Sequence, residues 1–158
     1  MKEYLQTQKE PIEGVEVFVN ADDINSWKVA IRGLPAPYEG GIWLLTISFS
    51  PGYPLAKPKF NFVTPSYHCN INCNGYICMD WLHDSWSPAN TIHGALQRIR
   101  SLILSPNPMD PIDAFKASRY NDYLKNGDLT YFRDATKHTL DYAGQMTYES
   151  FKAKYKLE

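Results

Sequence analysis

Val15-Glu16-Val17-Phe18-Val19-Asn20-Ala21-Asp22-Asp23-Ile24-Asn25-Ser26-Trp27-Lys28-Val29-Ala30-Ile31 is where the fold is decided. Val15, Val17 and Val19 alternate with Glu16 and Phe18, and Trp27, Val29 and Ile31 alternate with Lys28 and Ala30. A period of two is the pattern of strands that put one face on a core. Asp22-Asp23 supplies the turn between them. Further along, a third strand is expected over Ile42 to Phe49 and a fourth around Lys59 to Val63. The loops between carry Gly33, Pro35, Pro37, Gly40, Gly41, Pro51, Gly52 and Pro54. Four consecutive strands with turn-length connections imply an antiparallel meander.

Helices are expected on both sides of that meander. Met1 to Lys9 reads as a short helix ended by Glu10-Pro11, because the residue before a proline is pushed away from helical geometry. Beyond Pro88 the apolar period lengthens, with Ile92, Leu96, Ile99 and Ile103 at i, i+4, i+7 and i+11. That spacing gives a central helix one face to lay on the sheet. Pro106, Pro108 and Pro111 end it, and Asp113 caps a helix carrying Phe115, Arg119 and Tyr123. After Gly127, Asp128 is the expected N-cap of a last helix running through Phe132 and Ala143 into the final basic turn. The fold class is α+β.

Composition narrows the function. A chain of 158 residues, 44% of them hydrophobic, is expected to form one domain over 1–158 without help from disulfides or metal. A net charge of -1 argues against a generally basic nucleic-acid binder and favours protein partners. Three cysteines cannot all pair internally, and neither a signal segment nor an 18-residue apolar run is visible. The expectation is a soluble monomer of the cytoplasm or nucleus, not bound to membrane.

Reactive side chains concentrate in the stretch from Tyr67 to Pro88. It contains all three cysteines, two of the four histidines and two of the four tryptophans, among residues that favour turns. Three readings stand side by side. Cys69, Cys73 and Cys78 with His68 are buried packing residues; or those four and His83 ligate a metal; or Cys78 is a nucleophile that forms a thioester. The metal reading lacks a Cys-x-x-Cys knuckle and any common zinc spacing, so no metal site is assigned.

The residues resemble those of ubiquitin-conjugating enzymes. His68-x-Asn70, then Gly75-Tyr76-Ile77-Cys78-Met79-Asp80, then Trp86-Ser87-Pro88-Ala89 is similar to the core of that family. Tyr38-Glu39-Gly40-Gly41 and Tyr53-Pro54-Leu55-Ala56-Lys57-Pro58 upstream, and Pro106-Asn107-Pro108-Met109-Asp110-Pro111 downstream, resemble its other signatures in the same order. The resemblance implies the family fold, a four-stranded antiparallel meander with an N-terminal helix, a central crossover helix and two C-terminal helices.

The resemblance also implies roles. Cys78 is the acyl carrier that takes ubiquitin from an activating enzyme and gives it to a substrate lysine or a ligase cysteine. Asn70 stabilises the oxyanion, directly or by holding the active-site loop, and His68 bonds the local backbone. Asp110 is an acidic residue near the thioester that orients or deprotonates the incoming lysine, and Asp80 is a second acid close by. Leu55, Ser87, Pro88 and Ala89 are the expected contacts of a RING-type or HECT-type ligase. No cofactor is implied, since the activating enzyme is the one that consumes ATP. The alternatives are conjugation of another ubiquitin-like modifier and a catalytically weak ubiquitin-binding variant.

Several positions depart from the family pattern. Cys69 replaces its proline, which frees a backbone torsion and adds a second thiol to the active region, with disulfide or mixed-thioester chemistry as the expectation to test. Gln97, Arg98 and Arg100 stand where relatives have apolar or small residues that help hold donor ubiquitin, which implies polar contacts there. Glu16 stands at a position where many relatives carry serine on the back face of the sheet, which argues against binding a second ubiquitin on it. The first helix is shorter than the family's, with Lys2 and Lys9 as its basic residues.

Overall fold

The computed structural model describes residues 2–79 and 85–158. Four strands, β1 (Val15–Asn20), β2 (Asp23–Ile31), β3 (Trp43–Ser48) and β4 (Lys59–Phe62), pair in sequence order, and every pair is antiparallel. This is the meander that the alternation predicts. The register aligns Val17, Val29, Leu45 and Phe62 in one row across the sheet, all buried. A second row, Val19, Trp27, Ile47 and Phe60, runs beside it.

Helix α1 (Lys2–Lys9) comes before the sheet, and α2 (Ile92–Leu104) lies on its inner face. The buried side of α2 is Ile92, Ala95, Leu96, Ile99 and Ile103, the stripe expected from the sequence. Thr91 caps it, accepting a hydrogen bond from the Gly94 N–H. Asp113 caps α3 (Ala114–Asn126) through the Lys116 N–H, and Gly127 closes that helix in the left-handed conformation at φ 70°.

The carboxyl end differs from expectation. In place of two helices after the central one there are three, because the last is split into α4 (Thr130–Tyr142) and α5 (Tyr148–Tyr155). At the break the Ala143 and Gly144 N–H groups both turn back to the Thr139 carbonyl, and Thr147 starts a fresh helix by capping Ser150. Glycine is a poor helix former, so continuation past Ala143 is disfavoured. The cap of α4 is also displaced by one residue, to Leu129. Asp128 still serves the helix start, its carboxylate accepting the Thr130 N–H at 2.8 Å and the Thr130 hydroxyl at 2.5 Å. Among the described residues, no helix is long and apolar enough to cross a membrane.

Candidate active site

The cysteine-bearing segment forms a small hairpin against the open edge of β4. Ile71 pairs with Ile77, and both are 1% exposed, so the two arms are rooted in the core. Asn72 shapes the tip by accepting the Asn74 and Tyr76 N–H groups on its side-chain oxygen. Gly75 closes the approach to β4, receiving the Phe62 N–H at 2.9 Å. Its φ is +82°, and a Cβ there would lie 1.9 Å from the Phe62 carbonyl oxygen. No side chain fits that position.

Cys78 follows the anchored Ile77 and is part-exposed, with its N–H donated to the Asn70 carbonyl at 2.8 Å. Asn70 is buried at 1% exposure and turns its amide to the proline-rich loop opposite. Its Nδ2 donates to the carbonyls of Asn107 (2.8 Å) and Asp110 (3.0 Å), while its Oδ1 accepts the Asn107 N–H at 2.8 Å. One side chain therefore joins the cysteine hairpin to the loop that carries Asp110. The Asp110 side chain is exposed, while its backbone is held by Asn70.

His68 is completely buried. Its Nδ1 accepts the Asn70 N–H at 3.0 Å, which leaves Nε2 to donate to the Leu102 carbonyl of α2 at 2.9 Å. Burial pulls its pKa down to about 4, so the ring is neutral at physiological pH. The ring thus bonds two stretches of backbone, at Asn70 and at Leu102.

Cys69 is bonded through both its backbone and its thiol. Its carbonyl accepts the Ile112 and Asp113 N–H groups at 2.9 and 3.1 Å, and its thiol donates to Asn70 Oδ1 at 3.3 Å. Burial pushes that thiol up to about 11, so it is protonated and enclosed at neutral pH and is disfavoured as a rival nucleophile. None of the three cysteines is in a disulfide. Among the described residues no three His, Cys, Asp or Glu side chains gather as a metal cluster. Asp80 and His83 lie outside the described residues.

The loops carrying Leu55 and Ser87–Ala89 also meet. Leu55 is 83% exposed, and Ser87, Pro88 and Ala89 are exposed beside it on the second loop. Trp86 joins the two, donating its indole N–H to the Pro54 carbonyl at 3.0 Å, with its ring 6.2 Å from that of Tyr53. Beneath them sits Glu3 of α1. Its carboxylate accepts the Tyr53 hydroxyl and, at 2.6 Å, the N–H of Ile92, the first residue of α2. Nothing in the sequence marks Glu3 for this role, since its partners are far along the chain. Of the three polar residues noted on α2, Arg100 turns to Glu13 at 3.0 Å, whereas Gln97 and Arg98 are exposed.

A part-exposed cysteine on an anchored hairpin, a fully bonded asparagine behind it and an exposed carboxylate on the facing loop form a site suited to acyl transfer. The ubiquitin-conjugating enzyme family model matches residues 1–137, and the chain belongs to that family. Its partners are accordingly those of the family: ubiquitin, activating enzymes and ligases.

Proposed function

We propose that Cys78 carries ubiquitin as a thioester. Its thiolate attacks the C-terminal glycine carbonyl of ubiquitin held on an activating enzyme; the new C–S bond forms as the old one breaks, and the activating enzyme's thiolate leaves. In the second step a lysine amine attacks the same carbonyl with a RING-type ligase in attendance, the C–S bond breaks, and a proton leaves the nitrogen as the isopeptide bond forms. A HECT-type ligase cysteine takes ubiquitin by a further thioester exchange. The observation that carries this reading is the Cys78–Asn70–Asp110 connection, which fixes a part-exposed thiol beside a loop bearing an exposed carboxylate.

Within this scheme Asn70 works by holding the loop, since both amide hydrogens are already donated to Asn107 and Asp110. Asp110 orients the incoming amine or receives its proton. Leu55, Ser87, Pro88 and Ala89 meet the ligase, on a platform kept in register by Glu3 and Trp86. The protein works as a monomer in the cytoplasm or nucleus.

A charging assay tests this reading. With activating enzyme, ATP and ubiquitin, the wild-type protein gains one ubiquitin in a reductant-sensitive bond. Cys78→Ser gives a reductant-resistant ester or no adduct. No adduct on the wild-type protein, or a reductant-sensitive one that survives the loss of Cys78, overturns it.

A further inference from the structure

The outer face of the sheet, away from α2, is covered over part of its width by the chain's own end. Phe151 of α5 and Leu157 beyond it close Ala30, Ile42 and Leu44, and all five are buried together. Toward β4 the character of the face changes. Ser48 and Lys59 are paired neighbours there and both are exposed, with Asn61 part-exposed beside them. A cavity of about 610 Å³ lies at this margin, between β4 and the cysteine hairpin. Phe60 and Ile77 are its buried members, at 8% and 1% exposure, while Lys57, Lys59 and Tyr76 are exposed on it.

The strand register ties this cavity to Cys78. Asn61 of β4 pairs with Tyr76 of the hairpin in an antiparallel bridge, and the Phe62 N–H meets the Gly75 carbonyl at 2.9 Å. Counting on from that bridge sets Phe60 across from Ile77 and Lys59 across from Cys78, on chains about 5 Å apart. Side chains alternate between faces along each chain. Phe60 and Ile77 belong to the core, so Lys59, Tyr76 and Cys78 fall together on the opposite side. On its other flank Cys78 is bonded to Asn70, and Asn70 to the loop of Asp110. Cys78 therefore stands between a cation and a carboxylate. Lys59 makes no ion pair among the described residues.

We propose that this cavity recognises the acceptor: a substrate segment whose lysine is flanked by acidic side chains, with the lysine directed to Cys78 and a neighbouring carboxylate to Lys59. The acceptor role rests on the functional reading above, whereas binding of an acidic segment does not. Charge complementarity selects the occupant, because Lys59 attracts a carboxylate and repels a basic segment. Charge also sets its direction. The amine is drawn toward Asp110 and the acid toward Lys59, so the segment crosses Cys78 one way round. Phe60 and Tyr76 supply apolar area for the uncharged parts of the segment, in a cavity of the size that holds a few side chains.

The test starts on the full chain without activating enzyme. Two peptides carry one lysine each, flanked by Asp and Glu in one and by Ser and Gln in the other. The acidic peptide shifts the amide signals of Lys59, Phe60, Asn61, Tyr76 and Ile77, and the neutral peptide at the same concentration does not. Protein charged at Cys78 is then discharged to each peptide in a single turnover without ligase. The acidic peptide reacts about fivefold faster, the scale of one exposed ion pair. Salt at about 0.5 M removes most of that ratio by screening. Lys59→Gln brings the ratio close to one, and Lys59→Glu inverts it. Absence of the shifts, equal rates for the two peptides on wild-type protein, or a ratio that survives Lys59→Glu each overturn the proposal. Shifts at the cavity in a wild-type protein that does not charge would remove the functional reading, and the acceptor role with it, while the acidic-segment site stands, so the two failures are told apart.

Discussion

The cysteine hairpin and the outer face of the sheet are held by different physics. Behind the hairpin, on the inner side, polar groups form a network in which each buried residue has several partners: His68 with Asn70 and Leu102, Asn70 with Asn107 and Asp110, Cys69 with Ile112 and Asp113. On the outer side, apolar side chains of a separate helix lie on an apolar row, and polar bonds occur at the margins. Losing one member of the inner network strands several buried groups at once, which ties the site to the stability of the whole fold. Removing a contact from the outer side loosens a local unit that opens by itself.

The largest break in this contrast is Asn70→Ala. It leaves the Asn107 N–H and the carbonyls of Asn107 and Asp110 without their partner. A fully buried group left unpaired costs about 1–3 kcal/mol, and less is expected for each of these because Asn107 and Asp110 lie at the surface. Discharge of ubiquitin from Cys78 to free lysine should slow by about 100-fold as the loop loosens and the incoming amine loses its alignment, with charging retained. Single-turnover discharge and denaturant unfolding measure the two effects. Normal discharge with unchanged stability would remove Asn70 from the centre of the network.

His68 sharpens the same side by pH. Its folded pKa, about 4, lies below the ordinary value of 6.5, so the unfolded chain binds the extra proton first as the solution is acidified. Stability from this group is therefore complete above pH 6.5 and is lost progressively as pH falls from 6.5 to 4. The loss amounts to about 3 kcal/mol. Urea melts at pH 7.5 and 4.5 should show it for the wild-type protein, and much less of it for His68→Gln relative to its own pH 7.5 value.

Phe151→Ala tests the outer side. Truncating a buried phenylalanine costs about 3 kcal/mol or more when the whole fold depends on it. Here the expected loss is limited to the opening of α5, so exchange rises in Tyr148–Tyr155 while the sheet and α2 melt almost as before. A fall in global stability by the full amount would show that both sides form one cooperative unit.

The smallest effect is expected at Glu3, which links α1 to the loop of Tyr53 and to the start of α2. Glu3→Gln keeps an acceptor but loses its charge, for a change of about 1 kcal/mol. The emission of Trp86 should shift, and discharge stimulated by a RING domain should fall while unstimulated discharge to free lysine stays constant. An equal fall in both rates would place Glu3 in general stability instead.

Much of this molecule was legible in the chain itself. Period-two alternation around Asp22-Asp23 defines β1 and β2, and the i, i+4, i+7 stripe of α2 is equally plain, because burial of one face imposes its period on the sequence. Cys78, Asn70 and His68 stand within eleven consecutive residues, so local spacing was enough to mark them. The split between α4 and α5 was not, since Tyr148, Phe151 and Tyr155 continue a helical spacing that says nothing of direction in space.

The sequence by itself determined the four strands and their order, the first three helices, the family and the segment in which the candidate cysteine lies, because these depend on local conformational preference and on residue type. Tertiary structure alone decided what each polar side chain touches. It placed the Asn70 amide on the backbone of a distant loop, the Glu3 carboxylate under Tyr53 and Ile92, and Tyr148 against Glu16. A hydrogen bond is fixed by angstrom-scale approach between atoms, and the chain's spacing carries no record of approaches made after it folds.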